Sequence, residues 1–309
     1  MTDPVVELIE QPELRDPVLV VMLQGWIDAS GAALAAMTAL ESETTARTIA
    51  RFDRDTFIDY RARRPIMELR EGVNSRLVWP EIELKAGLDG GGNDVLLLTG
   101  HEPDAAWTRF AEAVSALAGD LGVRMMVGLG AYPYAAPHTR PARLSCSAPD
   151  EQILESLEFL KSSVDVPAGM EAVLEHAFHG RSIPALGIWA QVPHYVSGMS
   201  YPAASAALLE GLHDASGVII DVSSLRSEAL LQRSRLDELV AGNDEHRSMV
   251  RQLEQIYDAQ ETSDTTAPTS TTMHPSSHVP GPPIEAGELP SVDELAAEVE
   301  RYLRDQDGG

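Results

Sequence analysis

Val18-Leu-Val-Val-Met-Leu-Gln24 is a continuous apolar run that leads directly into Gly25-Trp-Ile-Asp-Ala-Ser-Gly31. A run of this kind, without polar residues at alternate positions, is typical of a strand that is buried on both faces. Three further runs of the same type predict strands over 94–99, 123–130 and 183–192. A strand buried on both faces needs helices above and below its sheet, so the intervening segments are expected to be helical.

The intervening segments do carry helical patterns. One helix is predicted over 32–42, directly after the first strand, and another over 201–213. A third is predicted to begin near Pro103. Its apolar residues recur at intervals of three and four, namely Trp107, Phe110, Val114 and Leu117. Strands separated by helices predict the α/β class, with a mainly parallel sheet and helices on both of its faces.

Two less regular segments are added to this sheet. Residues 57–64 alternate between apolar and polar side chains and stop at Pro65, which predicts a strand. Residues 217–222 predict a further short strand after the last helix of the core. The order of the strands within the sheet cannot be derived from the sequence.

The pattern changes at residue 225, so we predict a core domain over 1–224. Two apolar helical series on either side of Gly242-Asn243 predict a helical hairpin over 225–260. Residues 261–290 are rich in Thr, Ser, Pro and Gly, a composition that predicts a disordered linker. After it, Ser291-Val-Asp-Glu294 has the pattern of a capping box, which predicts a short amphipathic helix and an acidic tail over 291–309.

Charge and cysteine content limit the function classes. The 48 acidic and 23 basic residues give a net charge of −25, which disfavours binding to nucleic acid or to anionic lipid. No apolar run is long enough to cross a bilayer, and the first residues carry acids where a signal peptide needs positive charge. The single cysteine, Cys146, excludes an intrachain disulfide. Together these features predict a cytoplasmic protein.

A candidate pocket follows from the position of polar residues after the four buried strands. The carboxyl ends of parallel strands meet at one edge of a sheet, where ligands commonly bind. The polar residues expected there are Asp28, Ser30, His101, Glu102, His138, Arg140, His194 and Tyr195. Side chains of these types can transfer protons or clamp an anion, so they could form an acid–base pocket.

For most of these residues, structural roles are the better explanation. Asp28 and Ser30 stand where a helix begins and would cap its free amide groups. His101 and His194 lie near prolines at strand ends, where a histidine often fixes a loop. Arg140 lies between two prolines that hold its backbone rigidly, so its guanidinium could grip an anionic ligand or anchor the loop to an acidic helix. Both interpretations stay open.

Two candidate interfaces lie outside this pocket. Arg61, Arg63 and Arg64 form a basic cluster in an acidic chain, which either pairs with neighbouring aspartates or faces an acidic surface such as a second subunit. The predicted C-terminal helix carries apolar residues on one side. These are Leu295, Val299, Tyr302 and Leu303.

No motif for a cofactor or a metal ion is found. The glycine-rich stretch Gly87-Leu-Asp-Gly-Gly-Gly-Asn93 precedes a strand, whereas a phosphate-binding loop must follow one and lead into a helix. The sequence contains no Walker motif, no nucleophile elbow and no zinc-protease motif. We therefore predict no cofactor and no metal site.

Six short motifs occur in an order that resembles the proteasome assembly chaperone 2 family, in its bacterial branch with a helical C-terminal extension. They are Gly25-Trp-Ile-Asp-Ala29, Asp59-Tyr-Arg-Ala-Arg-Arg-Pro65, Gly100-His-Glu-Pro-Asp104, Pro137-His-Thr-Arg-Pro141, Val192-Pro-His-Tyr195 and Tyr201-Pro-Ala-Ala204. The resemblance covers residues 5–260. It implies a three-layer α/β core similar to the nucleoside phosphorylase/hydrolase type, and self-association, for example as a trimer. It also implies a protein-binding role related to the proteasome.

Three functional hypotheses follow. The first is a non-catalytic, homo-oligomeric protein-binding factor whose flexible linker presents the C-terminal helix to a partner. The second is a small-molecule-binding protein or a hydrolase/phosphorylase-like enzyme that uses the polar pocket at the strand ends. In the third, the same motifs fix loops at a subunit interface and bind nothing. The sequence by itself does not separate them.

Overall fold

The computed structural model of the protein describes residues 5–264. Its strands are β1 (Val6–Leu8), β2 (Val18–Gln24), β3 (Arg47–Phe52), β4 (Ile66–Arg70), β5 (Val73–Val78), β6 (Ile82–Leu88), β7 (Asp94–His101), β8 (Met125–Tyr134), β9 (Leu144–Ser147) and β10 (Ala185–Pro193). Its helices are α1 (Ala32–Glu43), α2 (Arg54–Phe57), α3 (Trp107–Asp120), α4 (Glu151–Glu155), α5 (Met170–His179), α6 (Pro202–Ser216), α7 (Ser223–Ala241) and α8 (Asp244–Asp264).

Eight strands form one mixed sheet in the order β1-β3-β6-β7-β2-β8-β10-β9. The four central strands, β7, β2, β8 and β10, are parallel, whereas the strands on either side of them pair antiparallel. The four apolar runs of the sequence are these central strands. They are apolar throughout because both faces of the sheet are covered there.

Helices cover the two faces and produce three layers. Alternate residues of β2 point to opposite faces, so that Val20 packs with α1 and α6 while Val21 packs with α3 and α5. Both valines are fully buried. Burial of an aliphatic side chain of this size contributes about 1.5–3 kcal/mol, so each face supplies its own core. The predicted α/β class, with helices on both faces of the sheet, is confirmed.

The strand predicted over 57–64 is wrong. Phe57 ends the short helix α2, which Asp53 caps, and its ring packs on Phe110 with the centroids 5.1 Å apart. From Asp59 the chain turns back, because the amide of Arg63 donates to the Asp59 carbonyl at 2.9 Å. The apolar residues of this segment are therefore held by packing on α3 rather than by a strand partner.

The short strand predicted over 217–222 is also wrong. This segment instead connects α6 to α7 and is held by the turn between β6 and β7. The amide of Ile219 donates to Asp89 Oδ2 at 3.0 Å, and the carbonyl of Ile219 accepts from Gly90 N at 2.8 Å. Gly87 and Leu88 are the last residues of β6, and residues 89–93 form a structural turn, as their position before β7 predicts.

The antiparallel strands were not among the predicted ones. β6 is the clearest case, since Ile82, Leu84 and Ala86 are buried and alternate with less buried residues. β4 and β5 pair only with each other and form a separate two-stranded ribbon. We refer to residues 66–78 as the ribbon.

Helices α7 and α8 form the predicted hairpin, and Asn243 caps α8 by accepting a hydrogen bond from Glu245 N at 2.9 Å. α8 continues to Asp264. The remainder of the predicted linker over 261–290, and the predicted helix and tail over 291–309, lie outside the described residues. The same holds for the candidate interface residues Leu295, Val299, Tyr302 and Leu303. Within the described range, no helix has the length and apolarity needed to span a bilayer.

Candidate functional site

Asp28 and Ser30 follow β2 and support neighbouring backbone. The Asp28 carboxylate accepts hydrogen bonds from the amides of Ala33 at 2.9 Å and Leu34 at 3.1 Å, in the first turn of α1. Ser30 Oγ donates to the carbonyl of Val196 at 3.1 Å. Burial raises the pKa of Asp28, and these amide contacts oppose the rise. The capping interpretation therefore describes Asp28, whereas Ser30 ties the start of the helix to the backbone at Val196 and caps no amide.

The predicted pocket residues His138 and Tyr195 contact the helical hairpin. Tyr195 Oη lies 2.7 Å from both the backbone N and Nδ1 of His138. On the other side of the ring, His138 Nε2 lies 3.2 Å from Asp237 Oδ1 on α7. Burial of the imidazole lowers the pKa of His138, although Asp237 opposes this. The histidine thus links the loop after β8 to α7.

Arg140 contacts the second helix of the hairpin. Its Nε and Nη2 each lie 2.8 Å from a carboxylate oxygen of Asp258, and its Nη1 lies 3.1 Å from Glu254 Oε1. A little further along the chain, the guanidinium of Arg143 lies over the Tyr257 ring, 3.7 Å from its centroid. Arg140 therefore anchors the loop to an acidic helix, as the second interpretation proposed.

The remaining predicted residues are dispersed. His101 lies near an ion pair between Arg63 and Asp104, and its pKa is lowered by burial and by the charge of Arg63. The ring of His194 packs edge-on against Tyr195, with the centroids 5.4 Å apart. Arg61 and Arg64 are exposed just before the ribbon, whereas Arg63 is half-buried. The structure does not bring the eight predicted pocket residues into one site.

A different site is present on the α5 side of the sheet. A cavity of about 720 Å³ lies at the carboxyl ends of β2 and β8, between α5 and the segment 162–169. Its walls are mainly apolar and aromatic, and they include Trp26 and Trp189. A cavity of this size and composition is suited to a small organic molecule or a side chain. Of the predicted pocket residues, only Glu102 lines it.

Three glutamates line this cavity, and two of them are on α5. Glu102 Oε1 accepts the amide hydrogen of Met170 at 2.5 Å and so caps α5. Glu175 Oε1 accepts from Ser147 Oγ at 3.0 Å. Glu171 Oε2 has no hydrogen-bond partner, although the side chain is buried.

Burial governs the protonation of the two glutamates of α5. It raises the pKa of Glu175 to about 7, with the Ser147 hydrogen bond opposing the rise. The pKa of Glu171 is raised well above its usual range by burial first, and then by the negative charges of Glu175, Asp28 and Glu102. Two carboxyl groups able to hold a proton near neutral pH therefore face one cavity.

Sequence reasoning missed Glu171 and Glu175, although a signal for them exists. Met170, Leu174 and Phe178 form the buried stripe of α5, at spacings of four residues. Glu171 and Glu175 are each one position after a member of this stripe and are also four residues apart, which places both carboxyl groups toward the sheet. Acidic residues that share the apolar side of a short helix are the pattern that could have identified them.

Within the part of the chain that the structure describes, no group of three or more His, Cys, Asp or Glu side chains is close enough to hold a metal ion. Cys146 lines the cavity, and burial raises the pKa of its thiol, which makes the thiolate less accessible near neutral pH.

Comparison with known proteins identifies relatives. No curated protein matches the chain. Among solved structures, a Mycobacterium tuberculosis protein of unknown function is 33% identical, with 86% of this chain and 92% of that chain covered and a TM-score of 0.77. A PAC2 family protein from Streptomyces avermitilis is also 33% identical, with coverages of 76% and 100% and a TM-score of 0.69.

A third relative carries a functional description. It is the Mycobacterium tuberculosis proteasome-assembly chaperone homologue, 32% identical, with 75% of this chain and 99% of that chain covered and a TM-score of 0.70. The model of the PAC2 family matches residues 22–240, which include the end of β2, the other three parallel strands of the sheet and nearly all of α7. The resemblance carried by the six motifs is thereby confirmed, and the chain belongs to the PAC2 family.

Proposed function

We propose that this chain is a non-catalytic, cytoplasmic protein-binding factor of the chaperone type, whose partners include proteasome subunits. The observation that supports this most directly is its likeness to the Mycobacterium tuberculosis proteasome-assembly chaperone homologue, which extends over nearly all of that protein. The net charge of −25 also favours protein partners over nucleic acid, because a field of this sign repels phosphate.

A reconstitution experiment tests this function. The full-length chain is mixed with separately expressed α and β subunits of the Mycobacterium tuberculosis proteasome, and assembly is followed on native gels. A chaperone should form a complex with one subunit type and accelerate formation of the core particle. If no complex forms and the assembly rate does not change, the proposal is wrong.

The element that contacts the partner is proposed to be the predicted helix over 291–304. Leu295, Val299, Tyr302 and Leu303 would form its apolar face, presented at the end of the predicted linker. In the same reconstitution, changing Leu295 and Tyr302 to alanine should weaken the complex, whereas Arg301→Ala, on the opposite side of such a helix, should not. Equal binding by both variants would place the contact elsewhere.

Self-association is proposed to occur through the ribbon. Five large apolar side chains are exposed on it, namely Ile66, Met67, Leu69, Val73 and Leu77. A ribbon of two strands is only marginally stable when exposed to water, and an apolar patch of this kind commonly marks an interface. A second copy of the chain packed on the ribbon would stabilise the two strands and would remove their apolar side chains from water.

The charge beside the ribbon favours a second copy as the occupant. The ribbon itself carries two arginines and two glutamates and is neutral, but residues 61–64 directly before it add three arginines, in a chain whose net charge is −25. Arg61 and Arg64 are exposed there. An apolar ribbon with this basic flank fits against an acidic surface of a neighbouring copy, and repeated contacts of this head-to-tail type close into a ring such as a trimer.

A second candidate function is the binding of a small molecule. The observation that favours it is the cavity lined by Glu102, Glu171 and Glu175. His138 and Arg140, which the sequence suggested for this role, have hydrogen-bond partners on α7 and α8. A small-molecule function would therefore reside on the α5 side of the sheet.

A further inference from the structure

The charges around the cavity have one sign. Within the described residues, its lining contains Glu102, Glu171 and Glu175 and no lysine, arginine or histidine. Arg63 and Glu102 both flank Gly25, and the charge of Lys161 acts on Cys146. Neither of these basic residues lines the cavity. A ligand that enters the cavity therefore meets carboxyl groups and no cationic side chain.

Two glycines make room for the carboxyl groups of α5 on the surface of the sheet. Gly128 of β8 and Gly187 of β10 are direct neighbours in the parallel register. A Cβ atom on Gly187 would lie 2.6 Å from Glu175 Oε1, and one on Gly128 would lie 3.1 Å from Glu171 Oε2. Side chains at positions 128 and 187 would occupy the space in which the two carboxyl groups lie. Glycine at both positions therefore leaves room for Glu171 and Glu175.

The glutamates that line the cavity can still accept a hydrogen bond from a ligand. The amide at the start of α5 is satisfied by Glu102, so the positive end of the helix has a negative partner already. Glu171 Oε2 is buried and has no partner. A buried carboxyl oxygen without a partner destabilises the folded chain, and a donor supplied by a ligand would remove this unfavourable contribution.

Aromatic groups form the apolar part of the cavity. Trp189 packs over Gly130, where a Cβ atom would lie 2.3 Å from its ring, and Trp26 packs on Gly169 in the same way. The negative face of an indole ring attracts cations as well as apolar groups. Tryptophan rings combined with acidic side chains are the surroundings that an organic cation prefers.

We propose that this cavity binds an organic cation, with its ammonium or guanidinium group against Glu171 and Glu175 and its apolar body against Trp26 and Trp189. A metal ion does not fit, since the described residues contain no group of three metal ligands. Such cations occur both as free amines and as the lysine or arginine side chains of a protein. The site is independent of the proposed chaperone function.

Three probes with the same ring and different charges test the proposal. Phenethylamine is a cation, 2-phenylethanol is neutral and phenylacetate is an anion. Each is titrated into the full-length chain at about pH 8, where a pKa near 7 leaves Glu175 ionised. Binding is followed by tryptophan fluorescence and by the shift in melting temperature. The ammonium group of the ligand favours the ionised form of Glu171, which burial disfavours in the free chain. Only phenethylamine should therefore bind, and Glu171→Gln should weaken its binding by about tenfold or more.

Two further variants keep the test decisive. Glu175→Gln should also weaken phenethylamine binding, and it serves if Glu171→Gln does not fold. Glu112→Gln changes an exposed glutamate of α3 and should leave binding unchanged. If 2-phenylethanol or phenylacetate binds as tightly as phenethylamine, or if both cavity variants retain full affinity, the proposal is overturned.

A second arm identifies the source of the cation. N-acetylarginine methylamide imitates an arginine side chain within a protein, whereas phenethylamine imitates a free amine. Tighter binding of the blocked arginine would assign the cavity to a protein partner, and tighter binding of phenethylamine would assign it to a small molecule. Absence of binding by both compounds would overturn the proposal.

Discussion

Glu175 shows how the fold changes the chemistry of a single residue. Only 6% of it is exposed, and burial raises its pKa from the ordinary value of 4.5 to about 7. The unfolded chain loses this proton near pH 4.5, whereas the folded chain keeps it until about pH 7. The free energy of unfolding should therefore fall as the pH rises through this interval, and then level off.

Glu175→Gln should remove this pH dependence. The difference between 4.5 and about 7 corresponds to about 3 kcal/mol. The variant should therefore gain up to that amount over the native chain at about pH 8 and show little gain near pH 4. Urea unfolding at both pH values measures this, with Glu112→Gln as the control. An equal gain at both pH values would contradict the assignment.

Arg140 shows how one side chain positions an element. It contacts both Asp258 and Glu254 of α8, and its planar guanidinium reaches both oxygens of Asp258 at once. A lysine at this position would present one point of charge and could not reproduce this pair of contacts. The attachment of α8 to the loop after β8 therefore depends on the guanidinium.

Arg140→Ala should loosen α8 without unfolding the core. Hydrogen exchange should become several-fold faster in α8 and stay unchanged in β2 and β8, because local opening depends on local contacts. Hydrogen–deuterium exchange with mass spectrometry measures the effect, and Arg140→Lys should restore it only in part. Arg251→Ala, at an exposed position of α8, is the control. Unchanged exchange in α8 would show that Arg140 does not hold the helix.

At the scale of elements, the ribbon and the hairpin differ in whether their apolar side chains are buried. In the hairpin, Leu236, Val250, Leu253 and Tyr257 are buried against the core, whereas Leu230 remains exposed. In the ribbon, no comparable side is buried, and Ile66 and Val73 are 67% and 64% exposed. The hairpin is therefore completed within one chain, and the ribbon is completed, on our proposal, by a second copy.

Charged substitutions on the ribbon test its role in association. Met67→Glu together with Val73→Glu should convert an oligomer to a species near the 33.4 kDa mass of one chain, because a carboxylate placed against an acidic surface opposes the contact. Light scattering coupled to size-exclusion chromatography measures this. Leu230→Glu, at an exposed apolar position of α7, should leave the mass unchanged. If the ribbon variant keeps the native mass, the interface is elsewhere.

At the scale of the whole molecule, the parallel centre of the sheet separates two regions with different tasks. On the α1 and α6 face, the loop after β8 anchors the hairpin through His138 and Arg140. On the α5 face, the ends of β2 and β8 leave a cavity with acidic groups. The residues that hold the hairpin and the residues that line the cavity are therefore different. A ligand in the cavity would not compete with the hairpin for the same side chains.

The sequence alone determined the elements whose signal is local. The four apolar runs correspond to the parallel strands, because burial on both faces excludes polar residues from every position. The helices that follow β2 and β10 and the helical hairpin were predicted for a similar reason, since their apolar residues repeat with the helical period. The six motifs also sufficed to identify the family, because their order along the chain needs no coordinates.

Only the tertiary structure decided how the polar residues are combined. The prediction placed His138, Arg140 and Glu102 in one pocket because all three follow parallel strands. The side chains after those strands point to different faces, so the first two contact the hairpin and Glu102 lines the cavity. Glu171 and Glu175 are far from Glu102 in the sequence and meet it only when α5 packs on the sheet. Packing between residues that are far apart in the sequence decides which face of the sheet a side chain lies on and what it contacts. A local sequence pattern does not contain this information.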